Sequence, residues 1–189
     1  MSGGSTEAVP GTPAGTGGTK ASGRPRCEGG KFLTFSLAGE EYGVEILKVQ
    51  EIVGMMDITP VPRIPPFILG LMNLRGKVIP VVDLRWKLGM GAAPCTDGSC
   101  IIVVRTEGMV MGVVVDSVSE VLTIAPEAIE AAPSFGTDVN TDYILGIGKT
   151  GGGVRILLDI ERVLSSREAL ATRAAALEGK KTENSDGGC

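Results

Sequence analysis

The chain of 189 residues is 43% apolar, carries 28 glycines and 11 prolines, and has a formal charge of −4 with an isoelectric point near 5.0. That length and apolar share suit one compact domain or two small ones packed together, and the acidic balance argues against nucleic acid as a partner, because phosphate backbones need a concentrated Lys/Arg surface. No apolar stretch approaches the roughly 20 residues of a spanning helix, and the N-terminus lacks the basic and apolar regions of a secretion signal, so a soluble, cytoplasmic protein without membrane insertion is expected. The sequence contains no histidine. A Ser-His-Asp or Cys-His nucleophile system is therefore impossible, and the four cysteines, Cys27, Cys95, Cys100 and Cys189, include no Cys-x-x-Cys pair for zinc. The expectation is a protein with no catalytic residues, no cofactor and no metal.

Residues 1–30 are a run of Gly, Ser, Thr, Pro and Ala without the large apolar side chains that offset ordering entropy, which predicts a disordered N-terminal arm. From Phe32 the pattern changes. Leu33, Phe35 and Leu37 alternate with Thr34 and Ser36, and Tyr42, Val44 and Ile46 follow the turn Gly39-Glu40-Glu41, as in half-buried antiparallel strands. Asn73-Leu74-Arg75-Gly76 then lies between two apolar strands. It is either a plain turn with a solvated arginine or a rigid tip that offers a guanidinium, beside Gly70 and the segment Val49 to Glu51, for multi-donor contacts with a partner. Cys95 and Cys100 flank the turn Thr96-Asp97-Gly98-Ser99 and are expected to stay thiols in a reducing cytosol. Ile101 to Arg105 and Val110 to Val115, on either side of Thr106-Glu107-Gly108, read as a further strand pair.

This order of elements is written twice. Gly43 to Ile52 is echoed by Gly112 to Val121, an offset of 69 (112 − 43), and Ile58-Thr59-Pro60 by Ile124-Ala125-Pro126. Phe67 to Leu71 returns as Tyr143 to Ile147, and Val78 to Leu84 as Val154 to Ile160, both at an offset of 76 (143 − 67 and 154 − 78). Such a period fits two copies of a small subdomain rather than a solenoid unit. Short Val/Ile-rich strands with Gly and Pro turns point to barrels, which hide sheet edges by closure. Asp83 and Asp159 occupy matching places before helix-compatible stretches and read as N-caps. Trp86 is expected to pack half-buried. Gly148-Lys149-Thr150 resembles the end of a phosphate-binding loop, but Tyr143 stands where the first glycine is required, so nucleotide binding is not expected. The triplet Gly151-Gly152-Gly153 reads as a hairpin turn. Ser165-Ser166-Arg167-Glu168 forms a capping box, with Leu170, Ala174 and Leu177 on one face, so a C-terminal helix is predicted over 166–178 and a flexible tail over 179–189.

The string YGVEILKVQEIV, followed by ITPVPRIPPFILGLMNLRGKVIPVVDLR, VMGVVVDSVSEVLTI, DYILGIG and ILLDIERVL, resembles the CheW family of bacterial chemotaxis coupling proteins over about residues 31–165. The resemblance implies a mainly β fold of two SH3-like five-stranded barrels related by internal duplication, the first at about 31–95 and the second at about 96–165, with strands free to cross between them. It implies a non-enzymatic adaptor that couples transmembrane chemoreceptors (methyl-accepting chemotaxis proteins) to the histidine kinase CheA in signalling arrays at the inner face of the membrane. By the same resemblance the receptor-binding positions are Val49, Glu51, Gly70, Asn73 and Arg75. The kinase contacts fall on exposed surface of the second barrel, where no motif names residues. A competing reading from another class is a small-molecule-binding double barrel or an uncharacterised enzyme that uses the cleft between the two copies.

Overall fold

The computed structural model describes residues 29–164 apart from 92, 107, 133–141 and 152. The expected arm as far as residue 28, the helix at 166–178 and the tail at 179–189 lie outside the described residues. In chain order the strands are β1 (Gly30–Leu37), β2 (Glu40–Glu45), β3 (Val49–Gly54), β4 (Ile68–Leu74), β5 (Lys77–Asp83), β6 (Cys100–Thr106), β7 (Met109–Val115), β8 (Ser117–Ile124), β9 (Ile129–Glu130), β10 (Ile144–Thr150) and β11 (Gly153–Leu158). Two short helices, α1 (Leu84–Lys87) and α2 (Ile160–Leu164), follow β5 and β11. Asp83 accepts from the Trp86 N–H at 3.2 Å and Asp159 from the N–H groups of Glu161 and Arg162 at 3.1 Å, so both aspartates cap a helix. Trp86, on the outer side of α1, keeps 41% of its surface exposed.

The strands form two sheets, in the orders β8-β1-β2-β11-β10-β9 and β3-β6-β7-β5-β4. The sheets do not divide the chain near residue 95. The hairpin β1–β2 of the first half joins β8 to β11 of the second, and β6–β7 of the second half joins β3 to β5 of the first. The links explain the exchange. β2 runs through one 3-10 turn, Ile46–Lys48, directly into β3, and β7 passes through Asp116 directly into β8. At both places the chain continues onward instead of turning back, so β3 and β8 leave the sheet of the strand before them and join the other one.

The duplication is exact at the level of register. In the two parallel pairs Val81 faces Gly112 and Leu157 faces Gly43, positions related by the same sequence offsets. Each glycine admits a side chain from the neighbouring strands: a Cβ on Gly43 would lie 2.8 Å from Leu157 Cδ2, and one on Gly112 would lie 2.8 Å from Ile101 Cγ2. Matching bulges follow Ile68 in β4 and Ile144 in β10, where the chain bends to close.

Closure is visible in the packing. Val53 of β3 and Leu69 of β4, on the two outer strands of the five-stranded sheet, pack with buried Met72, Ile79, Val81 and Ile101 in one cluster. In the other sheet Ile129 of β9 and Ile124 of β8 meet around Phe32 and Leu157. The largest cluster lies between the two sheets and takes Leu33, Phe35, Tyr42, Val44 and Leu158 from one, and Ile102, Val104, Met111, Val113 and Val115 from the other. Strands that border two cores are buried on both faces. Thus Ile101 and Val103 of β6 enter one barrel while Ile102 and Val104 enter the inter-sheet core. The same holds for β1, whose alternation predicts only half burial: Phe32 faces the barrel, Leu33 and Phe35 face the other sheet, and Thr34 is fully buried. Thr34 escapes an unsatisfied hydroxyl by donating to Glu120 O at 2.8 Å and accepting from Glu120 N at 3.2 Å, at the bulge of β8 against β1.

Candidate functional site

The hairpin β4–β5 ends in the pair Leu74 and Lys77, leaving Arg75 and Gly76 as its two loop residues. Both have positive φ, 52° for Arg75 and 83° for Gly76, the pattern of a type I′ turn whose twist matches that of the strands. Glycine takes this conformation freely. A side chain such as arginine pays roughly 1 kcal/mol or more for it, because Cβ crowds the carbonyl oxygen. Asn73 stabilises the turn, its Oδ1 accepting from the Gly76 N–H at 2.8 Å. The arginine is then aimed as well as strained: Nη2 donates to Glu51 Oε2 at 2.7 Å across 24 residues of sequence, while 79% of the Arg75 side chain faces solvent.

Glu51 stands on the inward side of β3, where its side chain is 19% exposed against a burial pattern that alternates along the strand. β3 and β4 are the two outer strands of their sheet, so the Arg75–Glu51 pair spans the seam of the barrel. Exposed ion pairs contribute only about 0 to 1 kcal/mol, so this one serves geometry more than stability: it holds a planar, multi-donor cation in one orientation at a surface tip. Val49 opens β3 opposite Val104 and packs, partly buried, against the inter-sheet core, which ties the strand bearing Glu51 to both sheets. Gly70 is built into the same seam. Leu71 and Thr59 exchange backbone hydrogen bonds at 2.8 and 2.9 Å, and a Cβ on Gly70, at φ 145°, would lie 2.1 Å from Thr59 O.

The five positions named from sequence therefore divide by role. Glu51, Asn73 and Arg75 form one connected polar arrangement at the seam, whereas Val49 and Gly70 shape the two strands that carry it. Two exposed apolar residues lie on the strand and the turn that lead to and from this site. Val78 faces Asn73 across the hairpin with 64% exposure, and Leu47, in the turn before β3, is 93% exposed. Val78 sits within an apolar run that reads as buried strand, and its exposure follows only from the tip geometry. Its repeat counterpart Val154 is 59% exposed.

Among the described residues no group of three or more Cys, Asp or Glu side chains converges as a metal site. The Tyr42 hydroxyl and the Cys100 thiol are both pushed above their ordinary pKa values by burial, and both pack at the inter-sheet core. That core packs side chains of both copies between the two sheets. Lys149 of the Gly148-Lys149-Thr150 stretch lies in strand β10 and pairs with Glu130 at 2.7 Å.

Comparison with known proteins adds a family. The model for the CheW-like domain matches residues 31–168. A chemotaxis protein CheW of Klebsiella aerogenes is 44% identical over 140 residues, covering 74% of this chain and 84% of the relative. Protein FrzA of Myxococcus xanthus is 32% identical over 148 residues, covering 77% of this chain and 90% of the relative. The crystal structure of the scaffolding protein TtCheW from Thermoanaerobacter tengcongensis superposes with a TM-score of 0.67 at 38% identity, covering 74% of this chain and 95% of that one. With two exchanged-strand β-barrels and a family match over most of its length, the chain belongs to the CheW family of chemotaxis adaptor and scaffold proteins.

Proposed function

We propose that this CheW family member works without catalysis, coupling the cytoplasmic tips of chemoreceptors to the histidine kinase CheA in arrays at the inner face of the membrane. The receptor meets the seam of the first hairpin, with Arg75 as the central contact, Glu51 and Asn73 holding it, and Val49 and Gly70 fixing the strands beneath. The kinase, through its own CheW-like regulatory domain, meets exposed surface of the barrel built mainly from the second repeat. A coupling protein needs two modest interfaces rather than one strong one, because linkage in an array multiplies weak contacts into avidity.

The observation that carries this reading is the left-handed backbone of Arg75 at a solvent-facing tip. Asparagine or glycine would relax that turn, and an exposed arginine kept there supports the reading of a contact made outside the chain. Arg75→Asn is therefore expected to keep or slightly raise thermal stability while weakening receptor binding by about 5-fold to 1000-fold, the range of a hot-spot arginine. Titration of purified receptor cytoplasmic fragments by calorimetry, with a thermal melt of the same samples, checks both halves. Unchanged affinity at unchanged stability removes the role of Arg75.

A further inference from the structure

Each passage of the chain from one sheet to the other is held by an ion pair, and the two pairs have opposite polarity. At the first crossover Lys48 Nζ lies 2.8 Å from Glu161 Oε1 of α2. At the second, Asp116 is gripped by Arg85 of α1, whose Nε donates to Oδ1 at 2.7 Å and whose Nη2 donates to Oδ2. Arg85 and Glu161 are equivalent positions of the repeat, separated by the same 76 residues (161 − 85) as the strands that precede them. One copy thus carries a cation where the other carries an anion. All four side chains are partly buried, between 24% and 34% exposed, where charges are less screened than at an open surface. Lys48 and Arg85 are each held above their ordinary pKa by the hydrogen bond to the carboxylate partner.

The duplication makes this polarity consequential. The hairpin β4–β5 with α1, and the hairpin β10–β11 with α2, offer equivalent parallel edges, Val81 docking against Gly112 and Leu157 against Gly43. A chain with the two hairpins exchanged would place β5 on β2 and β11 on β7, each strand again meeting a glycine. The connections from β3 into β4 and from β8 into β10 are residues 55–67 and 125–143. Extended at about 3.3 Å per residue, the shorter of the two could reach about 40 Å. The exchanged arrangement brings Arg85 to the crossover of Lys48 and Glu161 to that of Asp116, like charges in place of opposite ones.

We propose that the opposed polarity of the Lys48–Glu161 and Asp116–Arg85 clamps selects which hairpin joins which sheet, and so fixes the strand-exchanged topology of a chain whose repeats could otherwise pair either way. The selector acts at the two crossovers, the points where the chain commits each strand to a sheet.

Reversing one clamp, Lys48→Glu with Glu161→Lys, keeps an ion pair in the native arrangement and creates two in the exchanged one. After dilution from denaturant, a zero-length carbodiimide joins amines to touching carboxylates, and mass spectrometry reads the site. In the reversed variant the lysine introduced at position 161 is expected to cross-link to position 48 in one population and to Asp116 in another, the second reaching about a tenth of the total or more. Cross-linking to position 48 alone, at the refolding rate of the unmodified chain, overturns the proposal. Should the variant not refold, the unmodified chain decides. The exchanged arrangement should then appear as a slowly refolding fraction that is larger at about 1 M salt than at about 0.01 M, as the screening length falls from about 30 Å to about 3 Å. A fraction that is constant or shrinks overturns the proposal equally.

Discussion

Exchange of Gly70 for alanine is expected to lower the unfolding free energy by about 3 kcal/mol or more, the sum of backbone strain and the lost or displaced hydrogen bonds at the seam. Gly70 has φ 145°, and its added Cβ would stand 2.1 Å from Thr59 O, 2.8 Å from Thr59 C and 3.0 Å from Pro60 Cα. These are backbone atoms, so no side-chain rotation relieves the clash. Either β4 or the segment at Thr59 must move, and their two mutual hydrogen bonds at 2.8 and 2.9 Å go with it. Gly39→Ala isolates the conformational part: φ is 87° there and nothing lies within 4 Å of the added Cβ, so a loss of about 1 to 2 kcal/mol is expected. Urea titration of both variants measures the difference. Equal losses would mean that the approach of Thr59 to Gly70 does not matter to the fold.

The second large effect is expected in the core between the sheets. Phe35 is 1% exposed, and its ring stacks on Tyr42 with centroids 6.0 Å apart. Phe35→Ala should remove about 3 to 5 kcal/mol, the usual loss for a buried aromatic that leaves a cavity. Because the strands exchange between halves and the inter-sheet core is the largest, both barrels should unfold in one transition. Hydrogen exchange can follow β6 and β7 in one sheet and β10 and β11 in the other, and the variant should lose protection in both alike. Protection that persists in β6 and β7 while β10 and β11 open would show that the barrels are separable.

Much of this architecture is written in local pattern. The strand pair on either side of Gly39 is legible because Leu33, Phe35 and Leu37 alternate, and the helix caps because Asp83 and Asp159 recur at one place in the repeat. The assignment of strands to sheets is not local. Repeats that resemble each other pair equally well on paper, and no local pattern reveals that the chain passes from one sheet to the other at Ile46–Lys48 and at Asp116. Burial on both faces of β1 and β6 was hidden for the same reason, since a strand between two cores is recognised only once both cores exist.

The site divides similarly. Asn73-Leu74-Arg75-Gly76 reads as a turn from composition, but whether its arginine is solvated or held depends on Glu51, which comes into reach only when the barrel closes and brings β3 to the hairpin tip. The family resemblance pointed to those positions. At those positions the structure has a positive-φ arginine held by Glu51 and a glycine that the close approach of Thr59 requires.

The most direct test of the coupling role is co-sedimentation of this protein with receptor-bearing membranes, with and without purified CheA, in parallel with an Arg75→Glu variant. The parent protein should bring the kinase down with the membranes, and the variant should leave both the adaptor and the kinase in the supernatant while retaining its melting temperature. If the parent binds neither membranes nor kinase, the coupling account is contradicted.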